Sequence, residues 1–211
     1  MWRVNLRPEE YANAALSTFL SINDDKIKSI HDERVALRKY STVLEVLYPI
    51  HKKAEVVCNC RNMLKLLGRI RNYDIVYRDN TPIVRRKMTD AARERKRKFK
   101  VYYLPVIYGS RLLLMRDLVG TLKRLRNSEL SFHQYRQLIR KSKIICESLG
   151  YESTLLNNAA KELGKQLDQS LVDIDGELNS VIDKDLYMEW IENSILELDR
   201  IIKTSQFKDI A

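Results

Sequence analysis

The sequence predicts an all-α fold made of two similar halves related by pseudo-twofold symmetry, and three observations lead there. Only six of the 211 residues are Gly and four are Pro, so helix-breaking punctuation is sparse. Long stretches carry apolar residues at helical spacing, with few alternating β-branched runs, so strands are not required. A segment beginning at His31 recurs at His133, which divides a single domain of 1–211 into halves of about 1–104 and 105–211.

The elements follow in order. Pro8 suits the first turn of a helix ending near Ile22, with Glu9 and Glu10 close to its positive end. Asn23-Asp24-Asp25 caps a second helix, which stops near Tyr48 because Pro49 cannot continue helical hydrogen bonding. A third runs from about His51 to Leu67 and on, with a kink at Gly68, towards Asp79. Asn80-Thr81-Pro82 marks the next boundary. A basic helix then spans about 83–103, breaks at Pro105 and Gly109, and resumes to Leu125. After a linker at Asn127-Ser128, helices are expected over about 131–148, 153–178 and 183–204.

Charge points to a polyanionic partner. Lys and Arg number 38 against 28 Asp and Glu, a formal net charge of +10. Between Asp168 and Arg200 ten acidic residues face two basic ones, a net of −8 that leaves about +18 for the remainder. Cys58, Cys60 and Cys146 form no disulfide framework, and a zinc site from Cys58, Cys60 and His51 lacks a fourth ligand. No apolar window has the length of a signal core or a spanning helix, so the expectation is a cytoplasmic protein with no membrane partner.

The repeat concentrates basic residues. His31, Arg34, Arg38 and Lys39 recur as His133, Arg136, Arg140 and Lys141 at a constant offset of 102, while Lys143 faces Ser41. A second pair follows: Leu67-Gly68 between Lys65 and Arg69, and Leu163-Gly164 between Lys161 and Lys165, at an offset of 96. At about 100° per residue, helix positions 0, 3, 7 and 10 fall within about 80° of one another. His31, Arg34 and Arg38 therefore form one stripe, and His133, Arg136, Arg140 and Lys143 another. Leu37, Leu44 and Leu47, and Tyr135, Leu138, Ile139 and Ile145, lie on the opposite, core-facing sides. Cations stacked at one-turn spacing without interleaved carboxylates repel, and an anion relieves the repulsion.

These residues resemble the CHAD family, the conserved histidine α-helical domain. Its His, Arg three later and basic pair four beyond are matched from His31 and again from His133. Its Leu-Gly, basic, Asp-containing stretch is matched by Leu67-Gly68-Arg69-Ile70-Arg71-Asn72-Tyr73-Asp74, and more loosely by Leu163-Gly164-Lys165-Gln166-Leu167-Asp168. Ser41 and Asn72 depart from the pattern, where the family usually has a basic residue and an Asp. The resemblance implies two four-helix bundles and a basic surface or channel that binds inorganic polyphosphate, with association with polyphosphate granules among the roles it opens. Such a ligand offers one negative charge per unit and no bases, so recognition rests on Arg forks, Lys point charges and imidazolium donors.

The run Arg85-Arg86-Lys87, Arg93, Arg95, Lys96, Arg97, Lys98 and Lys100 winds around its helix and reads as either a solvated face or a steering rim. With Tyr102, Tyr103 and Tyr108 it supports the alternative, a nucleic-acid partner, although core packing is the stronger reading of the tyrosines. Arg71 could equally pair with Asp74 and is left outside the site. Asp173, Asp175 and Glu177 around Gly176 fail the spacing of a calcium loop and read as helix-end charge. With no metal-holding carboxylate cluster, phosphate-cradling glycine loop or activated nucleophile in the sequence, neither a cofactor nor catalysis is expected.

Overall fold

The computed structural model describes residues 7–77, 82–127, 129–173 and 184–206, which form nine helices and no strand. The chain divides into two compact units, one formed by Glu9–Val106 and the other built on the residues from Ile107 onward. No helix among the described residues is long and apolar enough to cross a membrane.

The first unit holds α1 (Pro8–Ser21), α2 (Ile27–Val46), α3 (Tyr48–His51), α4 (Ala54–Tyr77) and α5 (Pro82–Arg97). Ile30, Leu37, Tyr40 and Leu44 of α2 are buried with Met63, Leu67 and Ile70 of α4, which the helical spacing of both segments dictates. Ascending α2 means descending α4: Arg34 lies against Gly68, Ser41 meets Cys60, and Glu45 bonds Arg61 at 2.9 Å. The two helices are therefore antiparallel.

Helix α5 is fastened from its basic side. The buried Glu33 carboxylate of α2 accepts from Arg93 at 2.7 Å and from Lys96 at 2.6 Å. Arg93 also bonds Asp25 at 2.7 Å, and Lys96 reaches the Ile22 carbonyl with its ammonium 4.8 Å from the Phe19 ring centroid. Arg85 bonds Asp74 of α4 at 2.6 Å. Arg86, Lys87, Arg95, Arg97 and Lys98 stay exposed, and Glu94 pairs with Arg97 and Lys98. The basic run is thus neither wholly solvated nor wholly a rim, since three of its members are clamps inside the unit.

The second unit holds α6 (Ser110–Leu125), α7 (Phe132–Ser148), α8 (Thr154–Asp173) and α9 (Lys184–Gln206). Helix α6 packs on α7 and α9, α7 on α8, and α8 on α9, closing a circuit. Leu114, Leu118, Ile139, Ile145, Leu156, Leu163, Ile191 and Leu198 fill its centre. Ser131 and Gln134 form a reciprocal capping box at the start of α7. Its end is closed by Tyr151 N–H donating to the Cys146 carbonyl and Gly150 N–H to that of Glu147, with Gly150 at φ 86°. That left-handed position suits glycine because it lacks a Cβ.

Helix α4 continues through Gly68 as the sequence predicts, while other expectations are corrected. Pro49 opens the short α3 instead of only ending α2. The basic helix stops at Arg97, well short of Tyr103. Beyond it, the segment up to Ile107 is non-helical because side chains from elsewhere satisfy its backbone: Asn13 bonds both the N–H and the carbonyl of Leu104, at 2.8 and 2.9 Å, and the Tyr40 hydroxyl donates to the Tyr102 carbonyl. Tyr103 and Tyr108 are exposed, not core. Asp175, Gly176 and Glu177 lie outside the described residues.

Two outcomes follow. Glu33→Gln leaves Arg93 and Lys96 largely buried with one carboxylate fewer, and costs about 3 kcal/mol in urea unfolding; a loss under about 1 kcal/mol would mean that solvent screens the cluster. Burial pushes the His51 imidazole below its ordinary pKa, with Glu9 opposing and Lys53 reinforcing the shift. The unfolded chain therefore takes the proton first, and stability is lost as pH falls through about 6.5 towards the folded-state value. His51→Gln accordingly loses less melting temperature than the parent between about pH 7 and about pH 5.

Candidate functional site

In the first unit the repeat's cations collect along the seam where α2 meets α4. A Cβ placed on Gly68 would meet Arg34 Nη2 at 3.5 Å and Nε at 3.6 Å, so the guanidinium faces α4 at Gly68 with room for a methyl between them. The antiparallel register carries Arg38 to the level of Lys65, and His31 to that of Arg71. His31 is exposed at the rim of the seam. Partial burial and then the Arg71 guanidinium hold its pKa below the ordinary histidine value, Asp32 opposes, and Arg34 and Arg38 add to the depression. Three guanidiniums from two helices thus act on one imidazole. Lys65 and Arg69 are exposed on α4. Lys39 lies off the stripe, its ammonium 5.3 Å from the centroid of the Tyr11 ring on α1.

Arg71, left outside the site on sequence grounds, is among the charges that act on His31. Its apparent partner, Asp74, is engaged by Arg85. The usable signal was position: Arg71 follows Gly68 by one helical turn and so faces the same neighbouring helix.

The second unit handles its cations differently. His133 is exposed, with Nε2 2.6 Å from the Gln137 side chain. Arg136 is only 6% exposed, so it is far more enclosed than a solvent-facing stripe requires. Arg140 and Lys143 are half-buried and Lys161 is exposed. Lys141 turns to α6, where Asp117 accepts at 2.7 Å. Lys143 approaches Glu147 at 3.6 Å, and Lys165 bonds Glu162 at 2.8 Å. Carboxylates thus meet three of this unit's lysines: Asp117 arrives from another helix, and Glu147 and Glu162 sit one turn away. Among the described residues nothing lies within 4 Å of a Cβ on Gly164, so none packs there as Arg34 does at Gly68.

Among the described residues no group of three or more His, Cys, Asp or Glu side chains could hold a metal ion. Burial pushes the Cys60 thiol up to about 12 and the Cys146 thiol higher still, which suppresses thiolate chemistry at both.

The spacing at the two glycines sets a test. At Gly68 an added methyl makes ordinary contact and at Gly164 it meets open space. Gly68→Ala and Gly164→Ala each therefore stabilise by about 0.5 kcal/mol through helix propensity, read as a higher melting temperature. Destabilisation at Gly68 alone would mean that the guanidinium sits closer than ordinary contact. Comparison with protein-family models, with curated proteins and with solved structures returned no match.

Proposed function

We propose that this chain binds inorganic polyphosphate along its Lys/Arg/His-lined helix seams, as the CHAD resemblance implies, and performs no chemistry of its own. The observation that carries the reading is the convergence of Arg34, Arg38 and Arg71 on His31 where α2 meets α4. A phosphate chain relieves repulsion of this kind along its whole length, and guanidinium forks match its oxygens. Arg136, Arg140, Lys143, Lys161 and Lys165 supply the second set, where the bound chain competes with Glu147 and Glu162 for the lysines. Lys165–Glu162 is the more exposed of the two pairs and Lys143–Glu147 is long at 3.6 Å, so both are weak enough to be exchanged for phosphate.

The two units are read as the two four-helix bundles of that family, related by pseudo-twofold symmetry. Supporting this, Lys39 and Lys141 hold the same place in the repeat, and each reaches the helix preceding its own.

Nucleic acid is the second reading, favoured by the exposure of Tyr103 and Tyr108, whose rings are available for stacking. Against it, Arg85, Arg93 and Lys96 of the basic run are engaged inside the first unit.

Titration calorimetry with a long polyphosphate at near-physiological salt, with single-stranded DNA and RNA as competitors, separates the two. Each arginine makes charge-assisted bonds worth about 1.5 kcal/mol or more, so Arg34→Ala/Arg136→Ala weakens polyphosphate binding by about a hundredfold. Circular dichroism checks that the buried Arg136 site still folds. Replacing the exposed Arg95 and Arg97 by Ala changes the affinity by less than about threefold. Equal displacement by nucleic acid, or an unaffected Arg34→Ala/Arg136→Ala variant, would overturn the reading.

A further inference from the structure

The α2–α4 seam places a titratable ring where a bound anion would change its protonation. His31 stands one turn before Arg34 and two before Arg38 on the same side of α2, at the level of Arg71 across the seam. The charged groups facing it are Asp32, Arg34 and Arg38 from its own helix and Arg71 from α4. Arg93 and Lys96 of α5 are held by Glu33, which projects about 160° away around α2. Asp24 and Asp25, ahead of α2, bond Lys26 and Arg93. Asp32 acts on His31 in the opposite sense to these guanidiniums.

We propose that a phosphate chain binding at the α2–α4 seam takes up one proton at His31, so that the seam grips its ligand more tightly as pH falls from neutral to mildly acidic. This rests on the polyphosphate reading above. In the free seam, protonating His31 adds a fourth positive charge beside three guanidiniums. With a phosphate chain in place the same proton neutralises oxygen charge and provides imidazolium N–H donors on both ring nitrogens. The balance is simple: a buffer proton moves to the unprotonated ring nitrogen, and no covalent bond of the ligand breaks. Partial burial and the guanidiniums already hold the free ring below the ordinary histidine pKa, and bound phosphate acts in the opposite direction.

The sign follows from linkage. The complex holds the proton more tightly than the free seam, so affinity rises as pH falls through the bound-state pKa and levels off below the free-state one, by at most about tenfold per pH unit between them.

The test is calorimetric titration of the whole chain with long polyphosphate, at constant salt, in buffers of different ionisation enthalpy. For the parent, the binding enthalpy varies with the buffer in the sense of proton uptake, and affinity rises about three- to tenfold from about pH 8 to about pH 6. His31→Gln keeps a hydrogen-bonding side chain at an exposed position but cannot take the proton, so its buffer dependence and pH slope are smaller. Equal proton uptake and equal pH slope in the parent and His31→Gln would overturn the inference while leaving polyphosphate binding intact. Absence of binding in the parent at every pH would overturn the polyphosphate reading, and the inference with it.

Discussion

The Glu33 carboxylate, buried between Arg93 and Lys96, is the interaction on which the first unit's arrangement rests. Removing a carboxylate from water is costly, and the cost is recovered only because two cations and good geometry meet it. The consequence is directional. Glu33 draws the densest basic helix of the chain against one side of α2, and this leaves the side carrying His31, Arg34 and Arg38 to α4. One fixed ion cluster thus separates cations that hold the fold from cations that gather at the seam.

The two units carry related sequences but balance their charges by different means. In the first, Arg34 packs against α4 at the level of Gly68, and Arg71 adds a further guanidinium across the seam. In the second, carboxylates meet the lysines: Asp117 with Lys141, Glu147 with Lys143 and Glu162 with Lys165. An anion that binds the second set competes with these carboxylates for the lysines. At the first it meets the guanidiniums of Arg34, Arg38 and Arg71, which act together on His31.

Much of the helical pattern was legible because apolar spacing is a local property. The burial of Leu37, Leu44 and Leu47, and of Tyr135, Leu138, Ile139 and Ile145, follows from it directly. What escaped depended on distant partners. The segment after Arg97 has a helix-compatible composition, yet bonds from Asn13 and Tyr40 hold it outside helical geometry. Arg71 looked as though it belonged to Asp74 until Arg85, from the next helix, took that carboxylate. The stripes were visible in the repeat, whereas the burial of Arg136 and the arrival of Asp117 required knowing which helices pack together.

The most direct test of the seam as a phosphate-chain site is a residue-resolved NMR titration of the whole chain with polyphosphate, following backbone amides and arginine Nε–H groups. The account predicts that the largest shifts fall at residues 31–38 and 65–71, with a second set at residues 133–143 and 161–165, while the exposed face of α5 stays quiet. Shifts concentrated at residues 86–100 of the basic run, with Arg34 and Arg71 unmoved, would contradict it.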